Sequence, residues 1–141
     1  MNKIRVVLDT NVLVSAFIKY GGNEWRILRK AILGEIILIT SDEIIEEFES
    51  VISRPKFGYS KERVNEMKNF ITSASRTVVP DERFNIVKDD PSDNKIIECG
   101  VAGNVNYIIS GNKHLINLKE FRGIKIVKGK EFIDVWDSDR L

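Results

Sequence analysis

The sequence predicts an α/β protein built on a small parallel β-sheet with helices on both faces, a three-layer arrangement. Three observations carry that expectation. Short apolar runs recur that suit strands covered on both faces: Ile4-Arg5-Val6-Val7-Leu8, Ile36-Ile37-Leu38-Ile39 and Tyr107-Ile108-Ile109. Segments of helical periodicity lie between them, and strands alternating with helices imply parallel pairing through crossover connections. No internal repeat or low-complexity tract interrupts the alternation. The 141 residues suit one domain over 1–141, long enough to bury a good core.

The first strand begins at Ile4 and stops at a carboxylate, Asp9. Thr10 and Asn11 can cap the helix that follows, Thr10 to Tyr20, which Gly21-Gly22 ends. Asn23 caps a second helix, Glu24 to Leu33, whose Trp25, Leu28 and Ile32, with Ile27 and Ala31, share one side; Gly34 closes it. After the strand Ile36 to Ile39, Thr40 or Ser41 caps a helix running to about Arg54, and Thr40 with Glu43 fits a capping box. Arg54-Pro55-Lys56-Phe57-Gly58 breaks the chain before a helix from Ser60 to about Ala74. Thr77-Val78-Val79 reads as a short strand, and the polar residues 81 to 91 as a loop. Ser92 caps a helix through Ala102, closed by Gly103. Val105 to Ser110 is another strand, and Gly111-Asn112-Lys113-His114 leads into a short helical turn. Ile124 to Val127 is a last strand, and Glu131 to Trp136 a last helical piece. The right-handed crossover rule restricts the topology further.

Lys plus Arg (22) nearly balance Asp plus Glu (21), so any nucleic-acid face must come from local charge segregation. One cysteine, Cys99, excludes an internal disulfide and a cysteine zinc site; among Ile96, Ile97 and Val101 it reads as a buried, inert thiol. No segment has the character of a signal peptide or a membrane span, so the expectation is a cytoplasmic protein.

Ligands of open α/β sheets bind beyond the carboxyl ends of the strands, so an acid there is a functional candidate. Asp9 occupies such a position, with an N-cap role as the alternative. The helix Asp42 to Ile52 is acidic: Ile44, Ile45, Phe48, Val51 and Ile52 share its buried face, and Glu43 and Glu46 point away. Glu47 and Glu49 lie on the two edges of that face, roughly 100° from its centre. Glu47, in line with Ile44 and Val51, is the acid best placed to lean toward the sheet's end. Asp93, in the first turn of the Ser92 helix, would complement the helix dipole, but with Asp89-Asp90 before it the acid density exceeds what capping needs. Ser110-Gly111-Asn112 ends another buried strand, by the same geometry as Asp9, with an amide in place of an acid. Carboxylates gathered at one edge without His or Cys suit hard cations such as Mg²⁺ or Mn²⁺, and such a site supports metal-assisted phosphodiester hydrolysis. The single histidine, His114, cannot build a zinc site alone.

Leu8-Asp9-Thr10-Asn11-Val12, Glu47-Phe48 with Val51-Ile52 and Arg54-Pro55-Lys56-Phe57, Asp90-Pro91-Ser92-Asp93-Asn94-Lys95, and Ser110-Gly111-Asn112-Lys113-His114-Leu115 together resemble the PIN domain, in particular its toxin-component branch related to the VapC toxins. The resemblance spans nearly the whole chain, in order. It implies a metal-dependent ribonuclease of toxin–antitoxin type, with a homodimer and an antitoxin as partners and RNA as substrate. The family's acids fall on Asp9, Glu47 and Asp93, which would hold Mg²⁺ or Mn²⁺; Asn11 and Asp90 match neighbouring positions, and Thr10 and Ser110 hydroxyl positions near the site. The family pattern has Asp where this chain has Asn112, which can ligate through its oxygen but adds no charge. The alternative is therefore a PIN-like scaffold that binds RNA or protein with little catalysis. A phosphorylatable receiver domain has similar size and alternation but needs an acidic pair after strand one, where this chain has Asp9 alone.

Overall fold

The computed structural model describes residues 3–138; residues 1, 2 and 139–141, the ends of the expected 1–141 domain, lie outside it. Six strands form one sheet: β1 (Arg5–Leu8), β2 (Ile37–Thr40), β3 (Ser75–Thr77), β4 (Tyr107–Ile109), β5 (Glu120–Phe121) and β6 (Ile124–Val127), in the order β3-β2-β1-β4-β6-β5. Every pairing is parallel except β5 with β6, an antiparallel edge ribbon. Between β1 and β2 run α1 (Thr10–Ile18) and α2 (Asn23–Ile32), and between β2 and β3 run α3 (Asp42–Ile52) and α4 (Lys61–Ala74). α5 (Asn94–Ala102) precedes β4, the single turn α6 (Lys113–Ile116) follows it, and α7 (Gly129–Asp137) comes last.

Helices cover both faces for a topological reason. The chain moves outward in one direction from β1 to β2 to β3, then returns across the sheet to β4 and moves the other way to β6. Right-handed crossovers put connections running in opposite directions on opposite faces. The central strands are accordingly buried on both sides, Val6, Val7, Leu8, Ile108 and Ile109 having essentially no exposure. The direction reverses between β1 and β4, where the connections leaving their carboxyl ends part company. That crevice is the switch point at which open α/β sheets bind ligands.

Local details correct several sequence expectations. The third strand is Ser75–Thr77, not 77–79, because α4 runs straight into the sheet edge; Val78 N–H still reaches Thr40 O (2.9 Å), but Val79 is exposed before Pro80. No capping box forms at α3: Ser41 accepts from Ile44 N–H (3.4 Å), and the Thr40 hydroxyl is buried without a partner. Ser92 does not cap α5. It lies in a 3₁₀ turn, Pro91–Asp93, and its hydroxyl donates to Asp90 Oδ1 (2.7 Å). The edge strand β5 was not expected; two residues carry no periodicity to read. Cys99 is buried as expected, and burial pushes its thiol up to about 12.

Candidate metal centre

Asp9 directly follows β1, and its backbone N–H continues the ladder to Ile109 O (3.0 Å). It is the N-cap of α1, Oδ1 accepting from Asn11 N–H (2.8 Å). Its other oxygen, Oδ2, accepts from the hydroxyl of Ser110, the residue after β4, at 2.5 Å. The two strands at the switch point are thus joined by one carboxylate. A cap needs no burial, yet Asp9 is only 5 % exposed. Burial pushes its carboxyl above the usual carboxylate range, partly offset by the bonds from Ser110 and Asn11, with the charge of Glu47 adding to the rise.

Glu47 reaches the same crevice from the middle of α3. Its Oε2 accepts from the Thr10 hydroxyl (3.2 Å), beside Asp9. Ile44, Phe48 and Ile52 are buried and fix the rotation of α3, which leaves Glu47 half-buried on the edge of that face. Asp93 comes from the 3₁₀ turn that opens α5. Its carboxyl is pushed up to about 6, first by burial and then by the negative charges of Asp90, Asp9 and Glu47; the charge of His114 opposes them. Asp9, Glu47 and Asp93 are therefore close enough to repel one another.

Asn112 joins them in an unexpected orientation. Its Nδ2 donates to Asp93 Oδ2 (2.8 Å), and its backbone N–H donates to Ser110 Oγ (2.9 Å). Its Oδ1 accepts from His114 N–H (2.8 Å) and so caps α6. Because Oδ1 is spent on the cap, the amide turns its nitrogen, not its ligating oxygen, toward the acids. Of the hydroxyls, Thr10 holds Glu47 and Ser110 holds Asp9. Asn11 contributes its backbone N–H while its side chain is exposed, and Asp90 acts on Asp93 through charge.

Two residues that sequence reasoning passed over complete the arrangement. The Lys95 ammonium pairs with Glu47 Oε2. Asn94 is buried and clamps the preceding loop: Oδ1 accepts from Ile86 and Val87 N–H (both 2.9 Å), and Nδ2 donates to Val87 O and Pro91 O (both 3.0 Å). Both follow Asp93 directly in Asp90-Pro91-Ser92-Asp93-Asn94-Lys95, so the signal lay beside the acid itself.

A profile of the PIN domain matches residues 5–114, which takes in Asp9, Glu47, Asp93 and Asn112. The chain belongs to the PIN domain family. This PIN domain is 30 % identical over 147 aligned residues to the uncharacterized protein MJ1680 of Methanocaldococcus jannaschii, the alignment covering 96 % of this chain and 94 % of that one. Its fold is similar to a chain in the crystal structure of VapBC2 from Rickettsia felis bound to a DNA fragment from their promoter. The TM-score is 0.62 at 15 % identity, over 87 % of this chain and 97 % of that one. Membership places it among PIN-type nucleases, which as a family use divalent metal ions.

The donor chemistry of this PIN domain fits such an ion. Asp9, Glu47 and Asp93 offer only oxygen, and their mutual repulsion is the condition a hard cation relieves. Among the described residues, no three Asp, Glu, His or Cys side chains already stand gathered tightly enough to grip an ion. Lys95 on Glu47 and Asn112 on Asp93 engage the carboxylates instead.

Proposed function

We propose that this PIN domain is a Mg²⁺- or Mn²⁺-dependent ribonuclease, with Asp9, Glu47 and Asp93 as the residues that hold the ion. The observation that carries the reading is the Asp9 carboxylate, buried at the sheet's switch point, bonded to Ser110 from the neighbouring strand and raised in pKa by burial. Stability alone gives no reason to sink a charge there. The bound cation supplies activation of water and neutralisation of charge on the phosphate.

The chain's own residues do the rest. Asn11 N–H and Ser110 Oγ fix both oxygens of Asp9, so its direction is preorganised. Thr10 orients Glu47. Asp93, its Oδ2 bonded to Asn112, would offer its other oxygen to the ion. A cleft of about 270 Å³ lined by Asn11, Ser15, Asn23, Ser110, Lys128 and Lys130 opens beside Asp9. Its lysines favour a polyanionic strand there, though Glu24 also lines it.

The reading extends to partners. Phe17, Tyr20, Trp25, Leu28, Ile32 and Phe70 line an apolar groove between α1, α2 and α4, with Tyr20, Ile32 and Phe70 exposed. Exposed apolar grooves of this kind serve association, and we assign this one to the homodimer or antitoxin contact of a toxin–antitoxin pair. The proposed setting is the cytoplasm; no helix among the described residues is long and apolar enough to cross a membrane. The second reading, a scaffold with little catalysis, draws on Asn112 facing Asp93 with its nitrogen.

Cleavage of a fluorescent RNA by wild type and Asp9→Asn, with Mn²⁺ and with EDTA, separates the two. A ribonuclease loses at least ~100-fold in rate in Asp9→Asn and all cleavage in EDTA, while the variant keeps the wild-type circular dichroism. Cleavage by Asp9→Asn at the wild-type rate removes Asp9 from the site. Absence of Mn²⁺-dependent cleavage by the wild type favours the scaffold.

A further inference from the structure

We infer that Lys95 is a tethered counter-cation of the acidic crevice: it holds Glu47 while no divalent ion is bound and competes with a divalent ion for that carboxylate. The inference rests on the metal-site reading above and deepens it by naming what the ion competes with.

Three observations converge. Lys95 Nζ pairs with Glu47 Oε2, the same oxygen that accepts the Thr10 hydroxyl. Among the described residues it is the only lysine, arginine or histidine side chain in ion-pair contact with Asp9, Glu47 or Asp93. Its placement also runs against helix stability. Lys95 is the second residue of α5, where the helix dipole presents its positive end and favours acids over cations. The side chain is nevertheless only 18 % exposed, so the ammonium has given up much of its water. An unfavourable dipole and partial desolvation call for a strong local compensation, and the crowded carboxylates provide it.

The consequence for the ion is direct. Glu47 Oε2 cannot lie against an ammonium and coordinate a divalent cation in the same geometry. An ion held through Oε2 releases Lys95, and one held through Oε1 meets the ammonium's charge beside it; either way Lys95 lowers the measured affinity. An uncharged side chain of the same length removes the competitor and leaves the carboxylates in place. The lysine thus sets how much free cation the site needs, and so restrains occupancy when the ion is scarce.

The test is calorimetric titration of Mn²⁺ into EDTA-stripped wild type, Lys95→Met, Glu47→Gln and the double variant. Lys95→Met is expected to bind Mn²⁺ about tenfold more tightly than wild type and Glu47→Gln more weakly. In the Glu47→Gln background, Lys95→Met should change the affinity less than twofold, because the pair no longer exists to break. Lys95→Arg, which keeps the charge, should bind like wild type; Lys95→Gln replaces Lys95→Met if that variant does not fold. A wild-type isotherm that Lys95→Met leaves unchanged or weakens overturns the inference alone. So does a tenfold gain that persists in Glu47→Gln, since Lys95 would then act through overall charge. No Mn²⁺ binding by wild type or Lys95→Met overturns the metal-site reading, and this inference with it.

Discussion

Replacing Asn112 by Asp tests how the crevice balances charge. Asn112 spends its amide nitrogen on Asp93 Oδ2 (2.8 Å) and its oxygen on the cap of α6. Aspartate is as good an N-cap, so α6 and the backbone bond to Ser110 survive the change. The donor to Asp93 does not. A hydrogen bond to a charged group contributes about 1.5–3 kcal/mol, and half-burial of both residues puts this one near the lower end. Two carboxylates then face each other at hydrogen-bond distance, which adds about 1 kcal/mol of repulsion even with strong solvent screening. The metal-free protein should lose about 2–3 kcal/mol in all. At roughly 3 °C per kcal/mol for a chain of this size, the melting temperature in EDTA should fall by about 6–9 °C. The deficit should be full at pH 8 and shrink toward pH 5, where the two carboxyls can share a proton and restore the hydrogen bond. Mn²⁺ should reverse it, because the added charge tightens a hard-cation site; affinity and RNA cleavage are expected to rise by ~10-fold, only about 1.4 kcal/mol. Scanning calorimetry at both pH values, with EDTA and with Mn²⁺, checks all of this. An unchanged melting temperature in EDTA, with unchanged Mn²⁺ affinity, would refute the contact between Asn112 and Asp93.

Further outcomes follow from the same contacts. The Asp93 carboxyl at about 6 in the folded protein lies above its ordinary 3.8, so the folded state holds that proton more tightly. The resulting stability is complete below about pH 4 and lost as pH rises through about 6. In EDTA the melting temperature of Asp93→Asn relative to wild type should therefore climb across that window, and a pH-independent difference contradicts the crowding of Asp93. Asn94→Ala strands two N–H groups and two carbonyls of the 86–91 segment. About 3 kcal/mol or more should be lost by denaturant titration, with faster amide exchange at Ile86 and Val87; slow exchange in the variant would show that other contacts hold the loop. Gly103→Ala puts a Cβ 2.5 Å from Ile39 Cγ2 in the core. About 1–3 kcal/mol of destabilisation is expected from overpacking, and a wild-type melting temperature argues against that close approach.

The fold was legible because its strands are short apolar runs ending at polar residues, and β1 through Asp9 shows why. Val6, Val7 and Leu8 are buried and leave no room for a charge until the chain exits the sheet, so Asp9 marks both the strand's end and the crevice. Glu47 could be read from the helical wheel, since the buried face of α3 fixes its rotation. Asn112 could be placed but not oriented: which end of an amide faces the acids depends on the cap of α6, a contact visible only in three dimensions. Lys95 and Asn94 carried no periodic signal, for one pairs with a residue on another helix and the other clamps an irregular loop. The shift of β3 has the same origin, because where α4 stops is decided by the edge it meets and not by the β-propensity of Val78 and Val79.

We propose that Asp9, Glu47 and Asp93 surround one divalent cation at the switch point. The most direct test is anomalous scattering from crystals of the wild-type protein soaked in Mn²⁺. A Mn²⁺ peak is expected within coordination distance of the Asp9, Glu47 and Asp93 oxygens, with the Lys95 ammonium moved off Glu47. A fully soaked crystal with no peak there, and Lys95 still paired with Glu47, would contradict it.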